Sequence, residues 1–278
     1  MDRFTGRAAG AATSMRRLGA LLAVVACVLA IGTAPAGAIT DGTLDGNAHP
    51  AVVLLVMDIA GAPAFRCSGT LLSARVLLTA GHCAGEPGEF SGMRVFTESD
   101  VQNGNNNYPF GGPNSVEAQS WQSHPLFTEA QFFLHDVGVV ILKKPGVVLP
   151  ASQYGVLPTA NQLDALKPSA STTFTSVGYG VQQINPVFVE AQKIRMVAHP
   201  HLDQINTGFV GDFSLLLSNN ASTGGTCFGD SGGPNFLGNS NVIAGVTSFG
   251  INGTCGGTGG VFRLDRQNVL DFVNSVRR

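Results

Sequence analysis

Apolar residues in this chain come in short runs broken by glycine, proline and small polar residues, a pattern that predicts strands and turns more than helices. Residues 51–57 form a continuous β-rich apolar run, and residues 70–72 and 76–79 read as two strands around the polar corner Ser73-Ala74-Arg75. Residues 137–142, 172–177, 242–249 and 260–264 continue the series. One segment changes period: over residues 265–276, Val269, Phe272, Val273 and Val276 fall on one face of a helix. Residues 101–114, rich in Asn, Gly and Pro, are expected to form a surface loop. No repeat of fixed period is present. Abundant glycine, sparse charge and regular turn signals argue for an all-β barrel or sandwich and against an α/β fold.

The first residues follow a different logic. Arg16 and Arg17 precede an apolar run over residues 18–31, and Ala36-Gly37-Ala38 supplies the small-residue pattern of a signal-peptidase site. The run is shorter than the roughly 20 residues needed to span a bilayer. Residues 1–38 are therefore expected to be a removed secretory leader, with no membrane partner afterwards. Of the 278 residues, 240 would remain, and four basic residues and one acidic residue would leave, taking the net charge from −2 to −5. Nothing is basic enough to track a phosphate backbone, so nucleic acid is not an expected partner. Cys27 departs with the leader; Cys67, Cys83, Cys227 and Cys255 stay. In an exported chain these read as two disulfides. Three pairings are open, of which the local one, Cys67–Cys83 with Cys227–Cys255, is favoured. No Cys-x-x-Cys spacing suggests zinc, no compact acidic cluster suggests calcium, and no metal or cofactor is expected.

Candidate chemistry gathers at Gly225-Thr226-Cys227-Phe228-Gly229-Asp230-Ser231-Gly232-Gly233-Pro234. Glycines on both sides of Ser231 leave its hydroxyl uncrowded and permit positive-φ backbone whose N–H groups can converge on one point. The same pattern fits the G-x-S-x-G elbow of α/β-hydrolases, but that elbow needs its acid and histidine downstream, and no histidine follows Ser231. The base must lie upstream, in the order His…Asp…Ser. Among His49, His82, His124, His135, His199 and His201, His82 stands out, directly after an apolar strand and beside Cys83, where a ring can be held still. His49 and His124 precede prolines, and His199 and His201 lack a third metal ligand. His135 adjoins Asp136, but neighbours on a strand point to opposite faces. Asp136 opens the apolar run over residues 137–142, where a buried acid needs a hydrogen-bonding partner such as a histidine N–H.

The ordered set Cys67-Ser68-Gly69-Thr70-Leu71-Leu72, Leu78-Thr79-Ala80-Gly81-His82-Cys83, His135-Asp136-Val137-Gly138-Val139 and Cys227-Phe228-Gly229-Asp230-Ser231-Gly232-Gly233-Pro234 resembles the trypsin/chymotrypsin-like serine proteases. The resemblance implies two six-stranded antiparallel β-barrels with the site between them and a C-terminal helix: a first barrel over about 39–148, a second over about 149–264, and the helix over 265–277. It implies His82 as general base, Asp136 as its orienter, Ser231 as nucleophile, and the N–H groups of Gly229 and Ser231 as the oxyanion hole. Ile39-Thr40-Asp41-Gly42 looks like a weakened form of the family's mature start, whose amino group would insert beside Asp230; a cut after Ala38 would then create that terminus without a separate activation step. The substrate pocket would have Gly225 at its floor and Gly250 and Gly260 at its walls, with Ser248 also in the pocket. An uncharged floor predicts poor cleavage after Arg or Lys and room for an apolar side chain. The expectation is a secreted, monomeric endopeptidase acting on proteins or peptides. A non-catalytic binding protein on the same scaffold and a secreted esterase are the alternatives.

Overall fold

The computed structural model describes residues 39–185, 188–206 and 208–277; the leader expected at residues 1–38 lies outside the described residues. A two-residue strand β1 (Thr43–Leu44) precedes the first barrel, made of β2 (Val52–Ile59), β3 (Ala62–Leu71), β4 (Val76–Thr79), β5 (Gly92–Phe96), β6 (Ser115–Ser123) and β7 (Gly138–Leu142). Its order is β2-β3-β4-β7-β6-β5, and β5 pairs back with β2 to close it. Next come β8 (Ser169–Gly178), the hairpin β9 (Gln183–Asn185) and β10 (Phe188–Glu190), then β11 (Met196–Ala198), β12 (His201–Ile205), β13 (Ser214–Asn219), β14 (Pro234–Leu237), β15 (Ile243–Gly250) and β16 (Gly257–Arg263). Strands β8-β12-β13-β16-β15-β14 close as a second antiparallel barrel through β14 on β8, while β11 continues the β12 edge of β8 and carries β1. The expected pair of six-stranded barrels is thus present among the described residues.

Hydrophobic burial explains the first barrel's frame. Val52 to Met57 are all 2% exposed or less, because β2 packs on both faces, and such side chains each contribute about 1.5–3 kcal/mol on full burial. Strand β3 is longer than the expected 70–72. Its outer half, Ala62 to Arg66, is exposed or half-buried and carries one strongly β-favouring residue, Phe65, but the turn at Ala60 and Gly61, with φ of +50° and +80°, pairs it with β2. Strand β6 escaped sequence reading for a similar reason: in Ser115–Ser123 only Ala118 is buried, and the strand is held by β5 and β7.

The short helix α1 (Gly81–Ala84) follows β4, and the helix α2 (Gln267–Val276) ends the chain. Helix α2 buries Val269, Leu270, Phe272 and Val273, and Phe272 stands edge-on to His124 at 5.1 Å. It starts at Gln267, later than residue 265, because the buried Asp265 carboxylate is engaged by Arg263 and by the Leu163 N–H. The disulfides are Cys67–Cys83 and Cys227–Cys255, the local pairing. A buried polar knot, invisible in the hydrophobic pattern, joins the barrels: Arg195, fully enclosed, donates to Asp45, to the carbonyls of Gly46 and Val52, and to the Tyr179 hydroxyl. Among the described residues no helix is long and apolar enough to cross a membrane.

Candidate active site

Strand β4 runs into α1, so His82 is carried on the first turn after a buried strand and tied by Cys83 to Cys67 on β3. Opposite it, the chain entering β7 turns at His135, whose φ of +54° is uncommon for a non-glycine residue, and Val137 N–H bonds back to the His135 carbonyl at 2.7 Å. That turn points Asp136 inward, fully buried. Its carboxylate accepts from His82 Nδ1 at 3.0 Å on either oxygen, from the His82 backbone N–H at 2.9 Å, and from Ser248 Oγ at 2.5 Å. Facing a carboxylate, Nδ1 carries the ring hydrogen, which leaves Nε2 as the basic nitrogen. Burial opposes charge on His82, but the Asp136 charge and hydrogen bond, with Glu129 and Glu89 beyond them, outweigh it and hold the imidazole pKa above its usual 6.5.

Ser231 lies on a tight segment whose shape depends on its glycines. Gly229 and Gly232 have φ of +95° and +76°, and a Cβ on Gly232 would stand 2.0 Å from Thr79 Oγ1, so the serine segment abuts the end of β4 just before His82. The carbonyls of Ser231 and Gly229 are taken by the Ser68 N–H and hydroxyl, and the N–H groups of Asp230, Gly232 and Gly233 by the carbonyls of Cys227, Thr247 and Asp230. The N–H groups of Gly229 and Ser231 make no hydrogen bond among the described residues. Nor does any hydrogen bond join Ser231 Oγ to His82 among them, although Phe132, which stands edge-on to the His82 ring at 6.4 Å, and Ser231 line one cavity.

That cavity, of about 220 Å³, is walled by Phe132, Thr226, Phe228, Ser231, the run Thr247 to Gly250, and the Cys227–Cys255 disulfide; no charged side chain lines it. Of the four residues expected at a substrate pocket, Ser248 and Gly250 line this cavity. Gly225 and Gly260 are not in the lining. Gly225 bonds through its N–H to the Thr40 carbonyl, and a Cβ there would lie 2.2 Å from the Asn219 side chain, which fills the expected floor. Gly260 is covered by Phe249: a Cβ would meet that ring at 2.3 Å. Sequence reasoning missed Phe132, Thr226 and Thr247 as lining; the latter two adjoin residues already singled out, whereas Phe132 comes from a separate loop and gave no signal.

Ile39 and Asp230 are not brought together here. Ile39 is buried with Met196 and Ala198, and Asp230 accepts from the Gly180 N–H at 2.8 Å and the Cys227 N–H at 2.9 Å. Burial dominates Asp230: despite those two bonds and the charge of Arg66, its pKa is pushed up to about 7. Gly178 and Gly180 are glycines because a Cβ on either would run into this carboxylate.

A family model described as Trypsin matches residues 44–272. The chain is similar to trypsin iota of Drosophila melanogaster, with 27% identity over 188 residues, 66% of this chain and 68% of that protein. Its fold is similar to that of HL collagenase, with a TM-score of 0.66 at 21% identity, covering 86% of this chain and 98% of the other. It is also similar to a scabies mite inactivated protease paralogue, with a TM-score of 0.65 at 17% identity, covering 86% and 97%.

Proposed function

Because the chain belongs to the trypsin family, we propose that it is a secreted serine endopeptidase in which His82, Asp136 and Ser231 form the catalytic triad. The observation that carries this reading is the pair of unengaged N–H groups on Gly229 and Ser231, on the segment that presents the Ser231 hydroxyl and beside the His82–Asp136 pair. Donors kept free at that point suit an oxygen that becomes negative only during reaction. His82 Nε2 takes the Ser231 proton as Oγ bonds to the scissile carbonyl carbon, and the carbonyl electron pair moves to an oxyanion held by the two N–H groups. When the oxyanion collapses the C–N bond breaks, and the imidazolium gives its proton to the leaving amine. Water then repeats the sequence on the acyl ester, with His82 again as base, and the acid product departs.

The lining favours a medium-sized apolar side chain before the scissile bond. Phe132, Phe228 and Phe249 offer apolar contact, and the absence of a carboxylate in the lining leaves Arg or Lys unpaired. Secretion rests on the basic-apolar-small pattern of residues 1–38 and on the two disulfides. A cut after Ala38 would free the amino group of Ile39, and Asp230, a buried acid without a cation at hydrogen-bond distance among the described residues, is the group it would pair with. The substrate is protein or peptide, and the enzyme acts as a monomer.

Cleavage of a mixed peptide library by the mature protein, with Ser231→Ala alongside, tests the reading. Cuts after Phe, Leu, Tyr or Met that vanish in the variant are expected; Ser231-dependent cuts after Arg or Lys would overturn the pocket assignment alone. A second reading, a binding protein on the same scaffold, is favoured by one observation, the missing hydrogen bond between Ser231 Oγ and His82. Labelling of Ser231 by a fluorophosphonate decides between them, since a non-catalytic scaffold leaves the serine unlabelled.

A further inference from the structure

On the protease reading above, we infer that Arg66 contacts the leaving-group side of the substrate and selects an acidic side chain there. Arg66 sits on β3 immediately before Cys67, whose disulfide partner Cys83 adjoins His82. Its guanidinium lies against the backbone of Gly229: a Cβ built on that glycine would stand 3.4 Å from Arg66 Nε. The imidazole must hand its proton to the departing amine, so the leaving segment passes over the His82–Cys83 side of the serine, the side on which Arg66 stands. The acyl side lies in the cavity between Phe249 and the Cys227–Cys255 disulfide.

The chemistry of Arg66 is underused by the protein itself. Its one hydrogen bond among the described residues is a long one, Nη1 to the Ala191 carbonyl at 3.4 Å, and no carboxylate there forms an ion pair with it. A guanidinium has five N–H donors in a fork matched to a carboxylate, so most of its capacity faces outward. Ala191 belongs to the lining of a groove of about 450 Å³ that also takes in Gln102, Asn103, Gln192 and Lys193, which puts the guanidinium at the groove's edge. Lys193 adds a second cation, its ammonium over the Tyr108 ring at 5.8 Å; burial first, and the Arg66 charge after it, hold the Lys193 pKa below its usual value, which places the two cations near each other. The carboxylate in that wall, Glu190, is bonded to Gln192. By contrast, the carboxylates of Glu89 and Glu129 act on His82, which divides the leaving-group side into an acidic flank at the histidine and a basic flank at Gly229.

The test uses peptide pairs that share an apolar residue before the scissile bond and differ only by Glu or Lys at one of the two positions after it. The mature enzyme is expected to favour Glu by about tenfold in kcat/KM, the equivalent of about 1.4 kcal/mol, chiefly through KM. Arg66→Ala brings the ratio near one, Arg66→Lys keeps part of it, Arg66→Glu inverts it, and high salt shrinks it. Equal rates for the two peptides, or a preference that survives Arg66→Ala, would overturn the inference and leave Arg66 as a counter-charge for Asp230. The same peptides are titrated by fluorescence anisotropy onto Ser231→Ala and Ser231→Ala/Arg66→Ala proteins. If Ser231 proves unreactive, the protease reading fails, and this titration still decides for or against Arg66 by whether the Glu preference disappears with it.

Discussion

Two aspartates with no exposure to solvent flank the serine segment, and they solve the same problem in different ways. Asp136 accepts from the His82 ring, the His82 N–H and the Ser248 hydroxyl, so its burial is offset by three donors, one of them able to become a cation. Asp230 accepts from two backbone N–H groups and has no cation at hydrogen-bond distance among the described residues; its carboxyl is pushed up to about 7. Burial is equal, partners are not. A buried acid near a reaction centre is a reagent or a strain according to whether a charge of opposite sign is built in beside it.

Removing the built-in partner at Asp136 should have the largest effect. Asp136→Asn keeps the shape but faces an amide to the ring, turning the imidazole to the wrong tautomer; kcat is expected to fall by about 10⁴, as in the serine-protease template. The pH profile sharpens the comparison. In the native protein the raised His82 pKa puts the acid limb of kcat/KM above 6.5, since the base works only when neutral. The residual activity of the variant should show that limb displaced downward, because the charge that raised it is gone. A limb at the same pH in both would break the assignment of Asp136 as the group acting on His82.

For Asp230 the expectation is a pH slope. Between about 4 and about 7 the unfolded chain has released this proton while the folded chain keeps it, so stability falls as pH rises across that window and is flat above it. Asp230→Asn lacks the ionisation. Measured by urea midpoint on the chain with its leader attached, the variant should therefore gain on the native protein from pH 4 to 7. Parallel curves would show that Asp230 is not strained. Repeating the series on mature protein tests the proposed Ile39 amino partner, which would make the native protein the more stable of the two at neutral pH.

How far these sites could be read in advance follows from what a sequence carries. The His82–Asp136 contact was legible because both residues sit in dense local motifs, His82 after an apolar strand and beside Cys83, Asp136 at the mouth of β7; Ser231, marked by its glycines, is the third member of the proposed triad. Both disulfides followed from local closure. The cavity lining was only partly legible, because two of the expected glycines, Gly225 and Gly260, are covered by side chains whose direction a linear motif does not show. Asn219 occupies the space beyond Gly225, and Phe249 lies over Gly260 across the β15–β16 ladder. Nor did any pattern mark Arg195, a charge placed inside the core where hydrophobic periodicity predicts none. Strands β11, β12 and β13 went unread for a different reason: β11 is only three residues long, β12 and β13 are of mixed polarity, and the register with β8 and β16 holds them in place.

Ser248→Ala makes Asp136 resemble Asp230 by removing its hydroxyl donor and leaving two bonds, both from His82. A hydrogen bond to a charged group contributes about 1.5–3 kcal/mol, so a loss of about tenfold or more in kcat is expected if the whole of it serves the charged imidazolium–carboxylate state. The His82 limb should move up, since a less spread carboxylate charge holds the imidazolium more firmly. Unchanged kcat with an unmoved limb would mean that the Ser248 bond contributes nothing to the pair, and the contrast with Asp230 would then rest on the histidine.

The smallest effect expected is at His135, which shows a third way to bury an ionisable group: keep it neutral. Its ring stacks on His124 at 4.8 Å and 11°, stands against Phe213, and leaves a buried Nδ1 without a partner. On the other ring, His124 Nδ1 accepts the Leu126 N–H and a further bond runs to the Asn268 backbone; among the described residues no carboxylate pairs with either imidazole to favour its charge. Burial lowers both pKa values, and the neighbouring His135 lowers that of His124 further. Folded values below the ordinary 6.5 mean that the stabilisation is complete above that pH and is lost as pH falls through it, because the unfolded chain then binds protons the folded chain refuses. His135→Phe keeps an aromatic ring against His124 and Phe213 and deletes one of the two ionisations. Thermal midpoints at about pH 8 and about pH 5 should differ less in the variant than in the native protein. An equal gap would assign the acid sensitivity elsewhere, and would leave the positive-φ turn at His135 as a device for aiming Asp136 with no part in the protein's response to acid.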